Sequence, residues 1–91
     1  MLVKYFAYYR NDTGRKEEQL LAPETVGVLL RQLARRYGKS MRVKLLSPDG
    51  ESLGPDAIVL INGRNISHID QLNSPLSDTD IVSIFPIVAG G

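Results

Sequence analysis

The stretch "TVGVLLRQLARRYG", Thr25 to Gly38, places Val26, Leu29, Leu30, Leu33, Ala34 and Tyr37 at the three-and-four spacing that lines one side of an α-helix. Thr25 stands where its hydroxyl can accept a hydrogen bond from an unpaired N–H of the first turn. Arg31, Arg35 and Arg36 fall in the later turns, where cations complement the negative end of the helix dipole. Gly38 suits the position that ends the helix. A helix with one wide apolar side must have that side covered. With 91 residues the chain is one small domain, residues 1–91, with one core, so the cover has to come from its own flanking segments.

Those segments read as β-structure. Residues 2–10 alternate Val3, Tyr5, Ala7 and Tyr9 with Leu2, Lys4, Phe6 and Tyr8, which predicts a strand apolar on both faces. Asn11, Asp12, Thr13 and Gly14 suit a hairpin turn, and "RKEEQLLA" returns as a second strand with a solvated outer half. Beyond the helix, residues 42–46 and 57–61 are β-prone and are separated by the turn-rich "SPDGESLGPD". Asn62-Gly63, inside "AIVLINGRNI", is a strong hairpin signal because both residues tolerate the positive φ of a tight turn. "SHIDQLNSPLSDTD" is irregular with a short helical turn, and "IVSIFPIV", Ile81 to Val88, is the last strand. Pro86 within it lacks an N–H, so ladder donation is predicted to stop there.

Composition narrows the function. The chain has no cysteine, which removes disulfides, thiolate metal sites and thiol nucleophiles and suits a reducing compartment. "MLVKYFAYYR" does not read as a targeting segment, and no apolar run approaches the roughly 18 residues of a membrane span. The expectation is a cytoplasmic protein with no membrane partner. The net charge of +1 argues against a nucleic-acid surface. The charges are nevertheless segregated: residues 1–45 hold ten Lys/Arg and four Asp/Glu, residues 46–91 one and six. Such a distribution either steers a partner or simply marks solvated faces.

Internal catalytic motifs fail on their own chemistry. "YGKS" resembles the end of a phosphate-binding loop, but Leu33 stands where that loop needs a glycine. His68 is the only histidine, and without further histidine or cysteine no zinc ligand set is apparent. Ser67 and His68 are adjacent, so in an extended chain they point to opposite faces instead of pairing as nucleophile and base. Asn11-Asp12-Thr13 and Asn65-Ile66-Ser67 match the glycosylation pattern by chance in a chain without a leader.

The last residues, Ala89, Gly90 and Gly91, invite two readings. One is a frayed terminus of small residues. The other is a working carboxylate: without Cβ atoms Gly90 and Gly91 can thread a narrow channel and present an unhindered end to an enzyme. A carboxylate resists nucleophiles until it is activated. Adenylation by ATP makes a mixed anhydride that a persulfide sulfur converts to a thiocarboxylate, or that an amine or thiol attacks directly. The protein then carries the reacting group and the pocket belongs to the partner. Ordering each tail residue costs roughly 1–2 kcal/mol, so a tail at residues 88–91 is expected to be flexible until bound.

"VKYFAYYR", "INGRNI" and "PLSDTDIVSIFPIVAGG", with Asn62-Gly63, Asp78-x-Asp80, Phe85-Pro86 and Gly90-Gly91 in that order, resemble the MoaD/ThiS family of sulfur carriers over essentially the whole chain, in particular the small subunits of molybdopterin synthase. Two positions depart from the pattern: Thr79, where the family often has glycine, and Ile87, where it often has proline. The resemblance implies an α+β, ubiquitin-like β-grasp fold, with a mixed, mostly antiparallel sheet packed on one main helix. It implies a non-catalytic carrier whose Gly91 is adenylated by an E1-like enzyme, which uses the ATP, and is then sulfurated by a persulfide donor protein. No cofactor or metal would be bound. Val88, Ala89 and Gly90 would thread the large subunit of molybdopterin synthase, where the thiocarboxylate gives sulfur to a pterin for molybdenum or tungsten cofactor. Phe6, Phe85 and Pro86 would face the partner, although core packing also accounts for Phe6 and Phe85. The same chemistry serves a ubiquitin-like protein modifier, or a carrier for thiamin or cysteine biosynthesis.

Overall fold

The computed structural model describes residues 1–87. Val88, Ala89, Gly90 and Gly91 lie outside the described residues, and with them the expectations for tail threading and tail reactivity.

The amphipathic segment forms α2 (Val26–Tyr37). Thr25 caps it by accepting a hydrogen bond from the Val28 N–H at 3.3 Å. Gly38, at φ 98°, ends α2 with its N–H on the Ala34 carbonyl and also starts α3 (Lys39–Leu45). Five strands form one sheet: β1 (Leu2–Tyr5), β2 (Glu17–Gln19), β3 (Ala57–Ile61), β4 (Arg64–Asn65) and β5 (Ile81–Pro86). Their order is β2-β1-β5-β3-β4, with β1 and β5 parallel and the other neighbours antiparallel. The sheet is therefore mixed and mostly antiparallel, as expected. Its inner face, Val3, Tyr5, Val59, Ile61, Val82 and Ile84, buries the apolar side of α2 together with Met41 and Leu45 of α3.

Four expectations are corrected. Residues 2–10 are not one strand: β1 ends at Tyr5, Ala7 takes φ 54° and ψ −131°, and α1 (Tyr8–Thr13) follows. Phe6, Ala7, Tyr8 and Tyr9 form an unbroken apolar run, and such a run carries no period that distinguishes strand from helix. Gly14, expected in a hairpin turn, is instead the left-handed cap of α1. Residues 42–46 are not a strand either. Met41 and Leu45, four apart, are fully buried while Val43 is 61% exposed, so the helical period prevails. Finally, β2 is only three residues long, and its central residue, Glu18, points inward.

The Asn62-Gly63 hairpin is present, with φ 51° and 84° at its two residues joining β3 to β4. The irregular segment holds two short 3₁₀ turns, Ile66–His68 and Gln71–Asn73. Pro86 ends β5 opposite Ala57, and donation resumes one residue later, where the Ile87 N–H bonds the Asp56 carbonyl at 2.8 Å.

Candidate functional site

Strand β5 leads to the tail, and its two ends are held differently. At its start the Asn62 side chain donates to Asp80 Oδ1 at 2.9 Å and accepts from the Ile81 N–H at 2.9 Å. Asp80 Oδ2 accepts from the Ser77 N–H at 2.8 Å, and Asp78 accepts from the Ala22 N–H at 2.8 Å. The Asn-Gly turn and Asp80 are thus one clasp, while Asp78 ties the same segment to the chain before α2. It sets where β5 begins, and with strand geometry that sets where the chain leaves the sheet.

At the far end, Phe6 and Phe85 stack with ring centroids 4.2 Å apart and planes 9° from parallel. They are brought together by the parallel pairing of β1 with β5, in which Tyr5 lies opposite Ile84 and the Phe6 N–H bonds the Ile84 carbonyl at 3.1 Å. Arg10, from α1, lies over the Phe6 ring with Cζ 5.4 Å from its centroid, and its Nε donates to the Tyr5 carbonyl at 2.9 Å. Positive φ at Ala7 turns the chain sharply enough for α1 to return Arg10 over that ring. Phe6, Phe85 and Pro86 are each partly buried, and neither phenylalanine belongs to the buried core.

The rings sit on the sheet face opposite α2 and α3. Register places Ile58 beside Phe85, Leu60 beside Ser83, and Leu2 beside Ile81. Ile81 is 41% and Ile87 49% exposed. The outer face therefore carries apolar residues from β1, β3 and β5, interrupted by the Lys4–Ser83 pair. Sequence reading named Phe6, Phe85 and Pro86 but missed Arg10, Ile58 and Leu60. The unbroken apolar run "AIVLI" was the available signal for the last two, since in a strand its second and fourth residues lie on the face opposite the other three.

The remaining chemistry is inward. Glu18 accepts hydrogen bonds from the hydroxyls of Tyr5 at 2.6 Å and Tyr37 at 2.5 Å, and pairs with Arg36 at 3.2 Å and Arg15 at 3.4 Å. Burial alone would raise its pKa; the hydrogen bonds from Tyr37 and Tyr5, then the charges of Arg36 and Arg15, outweigh it and hold the carboxyl below its ordinary range. Burial and the bond to Glu18 push the Tyr5 hydroxyl far up. This carboxylate is saturated with donors, so it has no capacity left to act as a base. Among the described residues, no group of three or more His, Asp or Glu side chains could hold a metal ion, and no helix is long and apolar enough to cross a membrane.

A mixed five-stranded sheet wrapped around one main helix is the β-grasp architecture of ubiquitin-like proteins. The profile of the ThiS family matches residues 3–91, and the chain belongs to that family of small ubiquitin-like carriers and modifiers. Its relatives include small archaeal modifier protein 3 of Haloferax volcanii, 40% identical over 92 residues covering 98% of this chain and 96% of that protein. A putative sulfur carrier protein of Archaeoglobus fulgidus is 40% identical over 67 residues, 74% of each chain. In structure, the chain is similar to small archaeal modifier protein 1 of Methanosarcina acetivorans, with a TM-score of 0.85, 33% identity, and coverage of 99% and 94% of the two chains.

Proposed function

We propose that this protein carries sulfur as a thiocarboxylate on Gly91, formed after adenylation by an E1-like enzyme, and delivers it to a pterin precursor in the large subunit of a molybdopterin synthase. The observation that carries the reading is the placement of the Phe6–Phe85 stack on the strand that leads into the Gly90-Gly91 sequence. An apolar face next to a glycine-rich end suits docking on a partner that supplies the pocket. Within the described residues the only buried carboxylate is already saturated, which agrees with a carrier whose reactive group is its own end. Phe6, Phe85 and Pro86 would contact the partner, while Val88, Ala89 and Gly90 would enter it. The activating enzyme uses ATP and a persulfide donor protein supplies the sulfur, both in the cytoplasm, and the carrier itself holds no cofactor.

A second reading, a modifier joined through Gly91 to lysines of other proteins, is favoured by the names of two similar proteins, both called small archaeal modifier proteins. A carrier for thiamin or cysteine biosynthesis would share the same first steps. Intact-mass measurement after incubation with an E1-like enzyme, ATP and a persulfide donor is expected to show one oxygen replaced by sulfur. The sulfurated protein should then convert a pterin precursor in the presence of the large subunit. Failure to take up sulfur, together with appearance of the Gly91 acyl group on target lysines, would establish the modifier instead.

A further inference from the structure

The excess of basic residues in the first half of the chain has no part in the carrier reading. On the helical side of the domain, Arg31 and Arg35 of α2 and Arg42 of α3 line one cavity of about 390 Å³. Its apolar floor is Ala34 and Leu46, and Asp49 stands at its rim. None of the three arginines forms an ion pair among the described residues, whereas Arg15, Arg36 and Lys44 do. Two of the three are held in place. Arg31 Nη2 donates to the Gly50 carbonyl at 3.1 Å, and Arg42 Nη2 reaches the Pro48 carbonyl at 3.5 Å. Gly50, at φ 75°, allows the turn that brings these two carbonyls to the arginines. Each of these contacts uses one N–H of a five-donor guanidinium, so most donors remain free for a ligand.

From this arrangement we propose that the Arg31–Arg35–Arg42 cavity binds a polyvalent phosphate-type oxyanion, such as a diphosphate group. The rim carboxylate sets the valency. Asp49 accepts hydrogen bonds from the Glu51 N–H at 2.9 Å and the Ser47 hydroxyl at 2.7 Å. These bonds, the Glu51 bond first, hold its carboxyl below the usual range, so it stays ionised. Three guanidinium groups against one carboxylate leave an excess of positive charge that favours a polyanion over a single carboxylate. Planar guanidinium groups match phosphate oxygens in pairs, and those tethered to backbone lose less freedom on binding. The cavity lies among α2, α3 and the turn at Gly50, on the other side of the sheet from Phe6 and Phe85, so an occupied site leaves the apolar face open.

The test is a titration of the ¹⁵N-labelled full chain with sodium diphosphate at constant ionic strength. Saturable shifts are expected at the amides of Ala34, Leu46 and Gly50 and at the side-chain Nε signals of Arg35 and Arg42. Replacing Arg35→Gln together with Arg42→Gln should weaken binding by about tenfold or more and leave the thermal midpoint within a few degrees of wild type. Lys39→Gln, outside this cavity, should bind as wild type does. ATP run in parallel distinguishes two sources of the same chemistry: equal affinity assigns the phosphate chain alone, and tighter binding with added shifts at amides that diphosphate leaves unmoved assigns a nucleotide. Shifts that never saturate, or equal losses in the double variant and Lys39→Gln, would overturn the proposal.

Discussion

Tyr5 and Phe6 are neighbours in the chain and have opposite roles. Tyr5 is fully buried on the inner face, edge-on to Tyr37 at 6.3 Å, with its hydroxyl on Glu18. Phe6 turns to the outer face, where it stacks on Phe85, lies under Arg10 and stays partly exposed. The inner region is closed: both hydroxyls and the carboxylate of its network have partners, and a low-dielectric setting makes each bond costly to lose. The outer region is open, because its apolar atoms are only half covered and further burial there would still be favourable. Stability is concentrated on one side of the sheet, and capacity for association is left on the other.

The hardest test of the contrast is Glu18→Ala. It strands two tyrosine hydroxyls and is expected to cost about 3 kcal/mol, since hydrogen bonds to charged groups contribute roughly 1.5–3 kcal/mol each. Denaturant midpoints measure this. The pH dependence has a definite sign: the folded-state pKa of Glu18 is lowered, so its contribution is fully present above the ordinary carboxylate pKa and is lost as pH falls through the folded value. The gap between wild type and Glu18→Gln should therefore shrink on acidification. A gap that widened toward low pH would mean that Glu18 is not the ionised hub of the network.

Phe85→Ala should act the other way round. A stacked pair is worth about 0.5–1.5 kcal/mol beyond its area, so a modest loss of about 1–2 kcal/mol in stability is expected, with a much larger loss in partner affinity measured by titration calorimetry at equal folded concentration. If stability fell as far as in Glu18→Ala while affinity held, the outer face would be structural and the contrast would fail.

Smaller effects refine the boundary between the two regions. Ala7 holds φ 54°, a conformation that costs a residue with a Cβ about 1–3 kcal/mol. After the added chain entropy of glycine, Ala7→Gly should raise the unfolding free energy by about 1 kcal/mol; a loss would show that the turn after Phe6 is unstrained. The Tyr9 hydroxyl is buried without a partner among the described residues. Tyr9→Phe should accordingly leave the thermal midpoint unchanged or raise it by an amount worth about 1 kcal/mol or less.

Where structure followed short-range rules, the residues disclosed it. The Thr25 cap, the apolar side of α2 and the Asn62-Gly63 turn each depend on atoms a few positions apart, and each forms as expected. The aromatic residues flanking the tail, Phe6 and Phe85, could be named from the sequence, but their contact could not: it requires the parallel pairing of the two strands most distant in the chain. The short helices α1 and α3 depart from the strands expected there because helices of that length gain their stability from packing, which neighbouring residues do not disclose.

Glu18 marks the limit most clearly. Beside Glu17 it is one of two identical acids on a predicted strand with a solvated outer half, and only the pleat decides which enters the interior. Once inside, it is tolerable because Tyr5, Tyr37, Arg15 and Arg36 converge from β1, α2 and the segment before β2. The sequence by itself determined the helix, its cap, the Asn-Gly turn and the family to which the chain belongs, since local sterics and ordered motifs are written in neighbouring residues. The buried carboxylate, the stacked rings and the arginine-lined cavity were decided only by tertiary structure, because each depends on groups that no local rule places in contact.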